Sequence, residues 1–294
     1  MNTVILITGT STGFGRNAVS TLAERGYKVF ATMRDIAGRN AATTRELRSL
    51  AKAKSWNVEV LEMDVTNEAS VNQAVEKALH HAGRIDVVIN NAGIAALGIT
   101  EAYTVEQFQQ VFDVNLLGVA RVNRAVLPSM RRQHSGLLIH VSSGMGRVVV
   151  PGFAAYAASK FALEALADTY RFELSAFGVD SVLVEPGMHR TPILEKFLAP
   201  ADQARVAEYG STADAIDRVK SVFDQARTAQ ETPPPELVVE AFVRLIETPA
   251  GERPFRTVPT PSSQRLLEPY NALAASLRET VARNYKVHEL TVLQ

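Results

Sequence analysis

The chain contains no cysteine, and that single absence excludes disulfide staples, thiolate nucleophiles and cysteine-ligated metals together. It also has no prevailing charge: 31 basic and 31 acidic residues cancel to a formal net charge of zero. Such a balance gives no support for nucleic acid or an anionic membrane as the main partner. No apolar stretch reaches the roughly 18 residues that would mark a membrane span. The opening MNTVILITG carries neither a basic leader nor a cleavage signal, which predicts a cytoplasmic protein. His80, His81, His134, His140 and His288 show no i, i+4 pairing with a carboxylate partner, so no metal site is expected.

What is present reads as α/β. The 294 residues suit one large domain or two small ones, and a composition 46% hydrophobic and 21% charged is that of an ordinary globular chain. Short runs rich in Val, Ile and Leu recur at 3–9, 28–33, 58–65, 86–90, 137–143 and 180–186. They do not alternate cleanly with polar residues, which predicts strands buried on both faces of a parallel sheet. Helical patterns lie between them, at 16–26, 70–83, 105–133 and 154–178. In the first, Ala18, Val19, Leu22 and Ala23 share one face and Gly26 supplies a C-terminal stop. Strand alternating with helix predicts a doubly wound parallel sheet with right-handed crossovers.

After Pro186 the rhythm breaks. Residues 188–235 are mostly polar helix formers ending in TPPPE and are expected to form a lid. The triple proline cannot continue a helix but can start one, and 236–249 reads as that helix. A last short strand is expected at 253–259, then a helical tail at 262–285 interrupted near Pro269. The expected organisation is one domain over 1–294, with the lid at 188–235 and a C-terminal extension at 260–294.

Two short phrases carry chemistry. TGTSTGFG (8–15) follows the first strand and opens the first helix. Gly9, Gly13 and Gly15 allow a tight turn and close approach of backbone to a diphosphate, with the helix N–H groups and dipole facing it. The spacing is Gly-x3-Gly-x-Gly, not the Gly-x-Gly-x-x-Gly of the general dinucleotide fingerprint. A plain glycine-rich connection has the same composition; its place after the first strand of an alternating chain favours a dinucleotide. YAASK (156–160) sets Tyr156 and Lys160 one helical turn apart. A phenol with a pKa of about 10 transfers protons poorly at neutral pH. A cation beside it favours the phenolate and makes it a usable acid/base. An amphipathic surface turn would show the same pair.

Taken in order, Thr8-Gly9-x3-Gly13-x-Gly15, NNAG (90–93), Asn115, Ser143 ahead of Tyr156, Tyr156-x3-Lys160 and Pro186-Gly187 resemble the short-chain dehydrogenase/reductase family. The resemblance runs over residues 3–191 and implies a Rossmann-type fold binding a nicotinamide dinucleotide. It implies that Ser11, Thr12 and Phe14 join the three glycines around the diphosphate. It places Asp64 on the adenine amino group and Val65 against the ring; Asp64 could equally cap the helix that follows. Asn90, Asn91, Ala92 and Gly93 would form the wall beside the cofactor, with Gly93 letting the backbone pass close to the ribose. Spacing leaves both Arg34 and Asp35 in reach of the adenosine ribose. In the family the NAD-selecting acid falls on the position of Met33 and the NADP-selecting arginine on Arg34, so NADP is expected and NAD is the runner-up.

By the same resemblance Tyr156 is the acid/base, Lys160 lowers its pKa and holds the nicotinamide ribose, and Ser143 hydrogen-bonds the substrate oxygen. Ser142, its neighbour, should point to the opposite face. Asn115 opens its helix locally and binds a water leading from Lys160 to solvent. In PGMHRT (186–191), Pro186 and Gly187 turn the chain, backbone near His189 holds the carboxamide, and Thr191 touches the diphosphate or carboxamide. The His189 side chain is expected to point to solvent. Ala95, Ala96, Leu97, Met145, Val148, Val149, Phe153, Leu194, Phe197 and Leu198 are mostly apolar, which favours a hydrophobic ketone, aldehyde or alcohol as substrate. Helices 105–133 and 154–178 carry apolar residues around much of their circumference, and in the family they form a two-fold interface. A homodimer, or a homotetramer built from dimers, follows. A dinucleotide-sensing regulator on the same fold is the alternative from another class.

Overall fold

A computed structural model describes residues 3–293, the side chain of Leu194 apart. Strands and helices alternate through the first half: β1 (Val4–Ile7), α1 (Gly13–Glu24), β2 (Lys28–Met33), α2 (Ala41–Ala53), β3 (Val58–Glu62), α3 (Glu68–Ala82) and β4 (Val87–Asn90). Then follow α4 (Val105–Phe112), α5 (Gly118–Gln133), β5 (Gly136–Val141), α6 (Ala154–Glu173) and β6 (Val179–Val184). The remainder holds α7 (Gln203–Glu208), α8 (Ser211–Ala226), α9 (Glu236–Glu247), β7 (Arg256–Thr257) and α10 (Pro261–Asn284).

The seven strands form one parallel sheet in the order β3-β2-β1-β4-β5-β6-β7. Connectivity reverses between β1 and β4, the point at which open α/β sheets leave a crevice beyond their carboxyl ends. The absence of polar alternation in the strands has a direct cause: both faces are covered. Ile5, Ile7, Val29, Ala31 and Ile89 meet α1 and α9 through Val19, Leu22, Val238 and Phe242. Leu6, Phe30, Val88 and Leu138 point the other way, onto Val71, Val75, Val122 and Met130 of α3 and α5. Each such side chain, fully buried, is worth about 1.5–3 kcal/mol, so the sheet sandwich dominates stability and holds the loops at its carboxyl edge.

One open alternative is closed and one expected feature differs. Asp64 does not cap α3: Asn67 does, accepting from the Ser70 N–H at 3.0 Å, while Asp64 Oδ1 accepts from Thr66 N–H and Oγ1–H at 2.9 and 2.7 Å. The C-terminal helix is not interrupted at Pro269. It runs through because side chains before and after the proline, Leu267 and Asn271, are both anchored to the body of the protein. Thr260 precedes α10 but spends its hydroxyl elsewhere, on Gly187 and His189, rather than on capping the helix.

The expected lid holds α7, α8 and a short 3-10 turn at Pro192–Glu195. It is tied down by a parallel bridge from Leu198 to Ala96, with Leu198 N–H on Ala95 O at 2.8 Å and Leu97 N–H on Leu198 O at 3.2 Å.

Candidate active site

The glycine turn and the end of β4 lock together. Thr8 Oγ1 accepts from the N–H groups of Asn91 and Ala92, both at 3.0 Å. Asn91 Nδ2 donates to Thr8 O and Gly9 O at 2.8 and 3.0 Å. Gly9 has φ +70, and a Cβ there would lie 2.8 Å from Ala92 Cα; one at Gly15 would lie 2.5 Å from Asn91 Nδ2. Glycine is therefore dictated by this contact as well as by any ligand. Asn91 acts here as a brace for the turn. Asn90 lies away from the cofactor wall: it is buried and donates to Asn123 Oδ1 at 2.9 Å, beside His140. Strand alternation sends it to the opposite face from the turn.

α1 begins at Gly13, so the first N–H groups of the helix open between exposed Thr12 and the Pro186–Thr191 segment. A Cβ on Gly13 would lie 3.7 Å from Thr191 Cβ, which brings the two diphosphate candidates face to face. Unpaired donors and the positive end of a helix dipole in such a cleft fit an anion. Ser11 and Phe14 flank it, half-buried. At the end of β2, Asp35 is folded into its own turn, with φ 51 and Oδ2 accepting from Arg39 N–H at 2.7 Å. Arg34 is exposed, and its guanidinium makes no ion pair among the described residues. Val65 is nearly covered by Gly118, where a Cβ would lie 2.9 Å from its Cγ2.

The four residues proposed for chemistry converge from three elements. Between α4 and α5 the chain widens into a π-helical turn, Asp113–Leu117, with Asn115 fully buried at its centre. Asn115 accepts from Ile94 N–H at 2.9 Å and donates to Ile94 O at 2.9 Å and Ser159 Oγ at 3.0 Å. Both its N–H groups are thus spent on protein. Ser159, which the motif reading passed over, donates to Tyr156 O at 2.7 Å and so ties the π turn to α6. Its place inside YAASK was the available signal.

Lys160 is 5% exposed and donates to Val141 O at 2.8 Å. Burial brings its ammonium down to about 8, against the upward pull of the Glu164 carboxylate. Burial raises Tyr156, opposed by a hydrogen bond from the Ser143 hydroxyl. Ser143 Oγ itself accepts from Met145 N–H at 3.1 Å. Ser142 lies on the other face, its hydroxyl 2.7 Å from where a Cβ on Gly146 would sit.

His189 is not solvent-facing. It is 2% exposed, its Nδ1–H donates to Pro234 O at 2.9 Å and its Nε2 lies 2.8 Å from Thr260 Oγ1. A carbonyl can only accept, so Nδ1 carries the proton and Nε2 accepts from the Thr260 hydroxyl, which itself accepts from Gly187 N–H at 2.7 Å. Burial lowers its pKa. The ring thereby joins the Pro186–Gly187 turn to α9 and α10.

Beside Tyr156 an apolar cluster gathers Leu97, Met145, Phe153, Met188, Ile193 and Phe197 with Ile216, Val219 and Phe223 of α8. Phe153 is its hub, with Phe223 at 4.9 Å, Phe197 at 5.5 Å and Tyr156 at 6.2 Å between ring centroids. Val148 and Val149 stand outside it, exposed. The α8 residues had no motif to mark them, and the Leu194 side chain falls outside the described residues.

Residues 3–201 match the short chain dehydrogenase family model. The chain belongs to the short-chain dehydrogenase family. It is 34% identical over 250 residues to 17-beta-hydroxysteroid dehydrogenase type 1 of Mus musculus, an alignment covering 84% of this chain and 71% of that one. It is 34% identical over 223 residues to retinol dehydrogenase 8 of Bos taurus, covering 74% and 69%. A solved short-chain dehydrogenase from Streptomyces avermitilis superposes with a TM-score of 0.76 at 28% identity, covering 97% of this chain and 99% of that one. The short-chain dehydrogenase is thus an oxidoreductase of the family that uses NAD or NADP with small alcohol and carbonyl substrates. Among the described residues no helix is long and apolar enough to cross a membrane, and no cluster of three or more His, Cys, Asp or Glu could hold a metal ion.

Proposed function

We propose that this protein is an NADP(H)-dependent carbonyl reductase and alcohol dehydrogenase acting on hydrophobic substrates, with Tyr156 as acid/base. The observation that carries the reading is the buried Lys160 ammonium, held on Val141 O and 5.7 Å from the Tyr156 ring centroid, with the apolar cluster alongside the phenol. The dinucleotide, when bound, supplies or accepts the hydride. Gly13, Phe14 and Thr191 would hold its diphosphate, Asp64 and Val65 its adenine end, and Gly93 and Lys160 its nicotinamide ribose. Gly93 lies where a Cβ would be 3.3 Å from Asn115 Oδ1 and 3.8 Å from Lys160 Nζ, leaving room only for backbone.

In reduction Ser143 donates to the substrate oxygen as negative charge grows there, and Tyr156 delivers its proton to that oxygen. In oxidation Tyr156 takes the proton back. Lys160 supplies the positive charge that makes the phenolate accessible. Asn115 positions: through Ile94 and Ser159 it fixes Gly93 and the backbone of Tyr156 relative to each other.

NADP is preferred over NAD because exposed Arg34, at the end of β2, has no ion-pair partner among the described residues, while Asp35 is turned back onto Arg39 N–H. A fork of N–H donors suits a 2′-phosphate. The named relatives act on hydroxysteroids and retinol, and the Phe153–Phe197–Phe223 cluster suits a large apolar ketone of that kind. The protein is read as one catalytic domain working in the cytoplasm, its two copies meeting through α4, α5 and α6.

The test is NADPH oxidation over a panel of steroid ketones, retinal and small polar ketones. Turnover favouring the large apolar carbonyls is expected. Tight dinucleotide binding with no turnover of any carbonyl would instead make the protein a dinucleotide sensor.

A further inference from the structure

Behind the reacting residues lies a second, buried set of charges. Two carboxylates, Glu164 of α6 and Glu185 at the end of β6, are 3% and 0% exposed. Two guanidiniums face them. Arg256 of β7 donates to Glu164 Oε2 at 2.9 Å and lies 3.4 Å from Glu185 Oε1. Arg147, which ends the 3-10 turn begun by Ser143, lies 3.8 Å from Glu164 and 3.7 Å from Glu185. Arg147 and Glu185 are too far apart for a strong direct hydrogen bond. Asn271 of α10 fills the gap. Its Oδ1 accepts from Arg147 Nε–H at 2.9 Å and its Nδ2–H donates to Glu185 Oε2 at 2.6 Å. Tyr270, the preceding residue, lies under the same guanidinium at 4.4 Å.

Both ends of this bridge belong to the site. Arg147 follows Ser143, and Glu185 immediately precedes Pro186-Gly187. The two turns already touch through Gly144 N–H on Pro186 O at 2.9 Å. α10 presses on both, since a Cβ at Gly144 would lie 3.4 Å from Leu267 and one at Gly187 would run into Ser263. The only residue of α10 that hydrogen-bonds both turns through its side chain, among the described residues, is Asn271.

We propose that Asn271, carried on the C-terminal helix, is a positioning residue for the reaction: by bridging Arg147 and Glu185 it locks the turn after Ser143 against the Pro186–Gly187 turn, so that α10 is part of the active site. The proposal rests on the reading that Ser143 and Tyr156 perform the chemistry. An ionised Glu185 is the stronger acceptor for this bridge, and the groups facing that carboxylate set when it is charged. Glu164 of α6 opposes ionisation; Arg256 and Arg147 favour it, as does the Asn271 amide. Burial, then Glu164, raise Glu185 to about 7. Loss of the amide raises it further, so the pH below which turnover declines must rise.

Two variants separate positioning from mere helix docking. Asn271→Leu removes both hydrogen bonds; Asn271→Asp keeps an acceptor for Arg147 but sets a like charge against Glu185. Ala282→Gly loosens the same helix three turns away without touching either group. For both Asn271 variants kcat is expected to fall about tenfold or more, toward the ~10²-fold that a misplacement of about 1 Å costs. The acid limb of kcat/KM should move to higher pH, further for Asp than for Leu. Ala282→Gly should lower the melting temperature and leave the limb in place. Amide exchange of Gly146, Arg147 and Val148 reads the latch without any turnover, and it should quicken in the Asn271 variants only. Unchanged exchange with an unmoved acid limb in both Asn271 variants overturns the proposal. Wild-type protein that turns over no carbonyl while the Asn271 variants still quicken exchange defeats the catalytic reading instead.

Discussion

The ammonium of Lys160 donates to the carbonyl oxygen of Val141 at 2.8 Å and stands 5.7 Å from the centroid of the Tyr156 ring. A strand end thus anchors the cation that the phenol depends on. Burial has already drawn that ammonium down to about 8. The charge supporting the phenolate is therefore full below pH 8 and lost as pH rises through it. Turnover should decline above about pH 8 along a limb that is absent from dinucleotide-independent signals such as tryptophan fluorescence. A rate that stays flat to pH 10 would show that Lys160 keeps its proton and that burial does not control it.

Tyr156→Phe should leave NADPH affinity nearly intact and remove about 10²–10⁴-fold of turnover, since the ring still packs on Phe153 but no proton can be delivered. Binding measured by fluorescence and rate measured by NADPH absorbance give the two halves. Near-wild-type turnover in the variant would remove the phenol from the mechanism.

Arg34→Ala should weaken NADPH by about 1.5–3 kcal/mol, the worth of a charge-assisted hydrogen bond, and leave NADH little changed. Titration with each dinucleotide decides it. Equal loss for both, or a wild-type preference for NADH, transfers the selection to Asp35 and to NAD.

How much of this was legible beforehand follows from where the information sits. Strands buried on both faces announce themselves as Val, Ile and Leu runs, and β2 spans the expected residues 28–33. α2 (Ala41–Ala53) gave no comparable signal, because only Thr44, Leu47 and Ala51 of it are buried. The reacting residues were visible because their chemistry needs particular side chains at particular spacings. His189, Asn271 and the Arg147–Glu185 pair were not, because each owes its role to partners 38 to 124 residues away. Local sequence left Asp64 open between an adenine contact and a cap, and read Pro269 as a break, where a nearer cap and tertiary anchoring decided otherwise.

His140 makes an acid-stability prediction. It is fully buried between Asn90 and Ser181, and burial lowers it from 6.5 to about 3. Between those values the unfolded chain binds a proton that the folded chain refuses, so stability is lost as pH falls. The slope reaches about 1.4 kcal/mol per pH unit. His140→Gln keeps a donor and an acceptor but cannot titrate. Its melting temperature should therefore fall less steeply than wild type between pH 6.5 and 4. Parallel curves would mean that His140 charges freely in the fold.

The last prediction concerns assembly. Val105 of α4, Leu117 in the π turn and Phe161 of α6 are 68%, 47% and 38% exposed, on the helices for which the family resemblance implies a two-fold interface. An isologous contact would cover them. The rival cover is the chain's own tail, and its reach can be checked. α10 meets α6 at Asp168 through Arg278 and the turn His288–Thr291 also packs on α6, yet Phe161 stays 38% exposed. A homodimer is therefore expected. Sedimentation velocity at low micromolar concentration should show a species near twice the 32.0 kDa chain mass. Phe161→Glu, which puts a charge where two copies would meet, should convert it to monomer while leaving the melting curve cooperative. A wild-type protein that already sediments as a single chain would sink the dimer and leave this face to another partner.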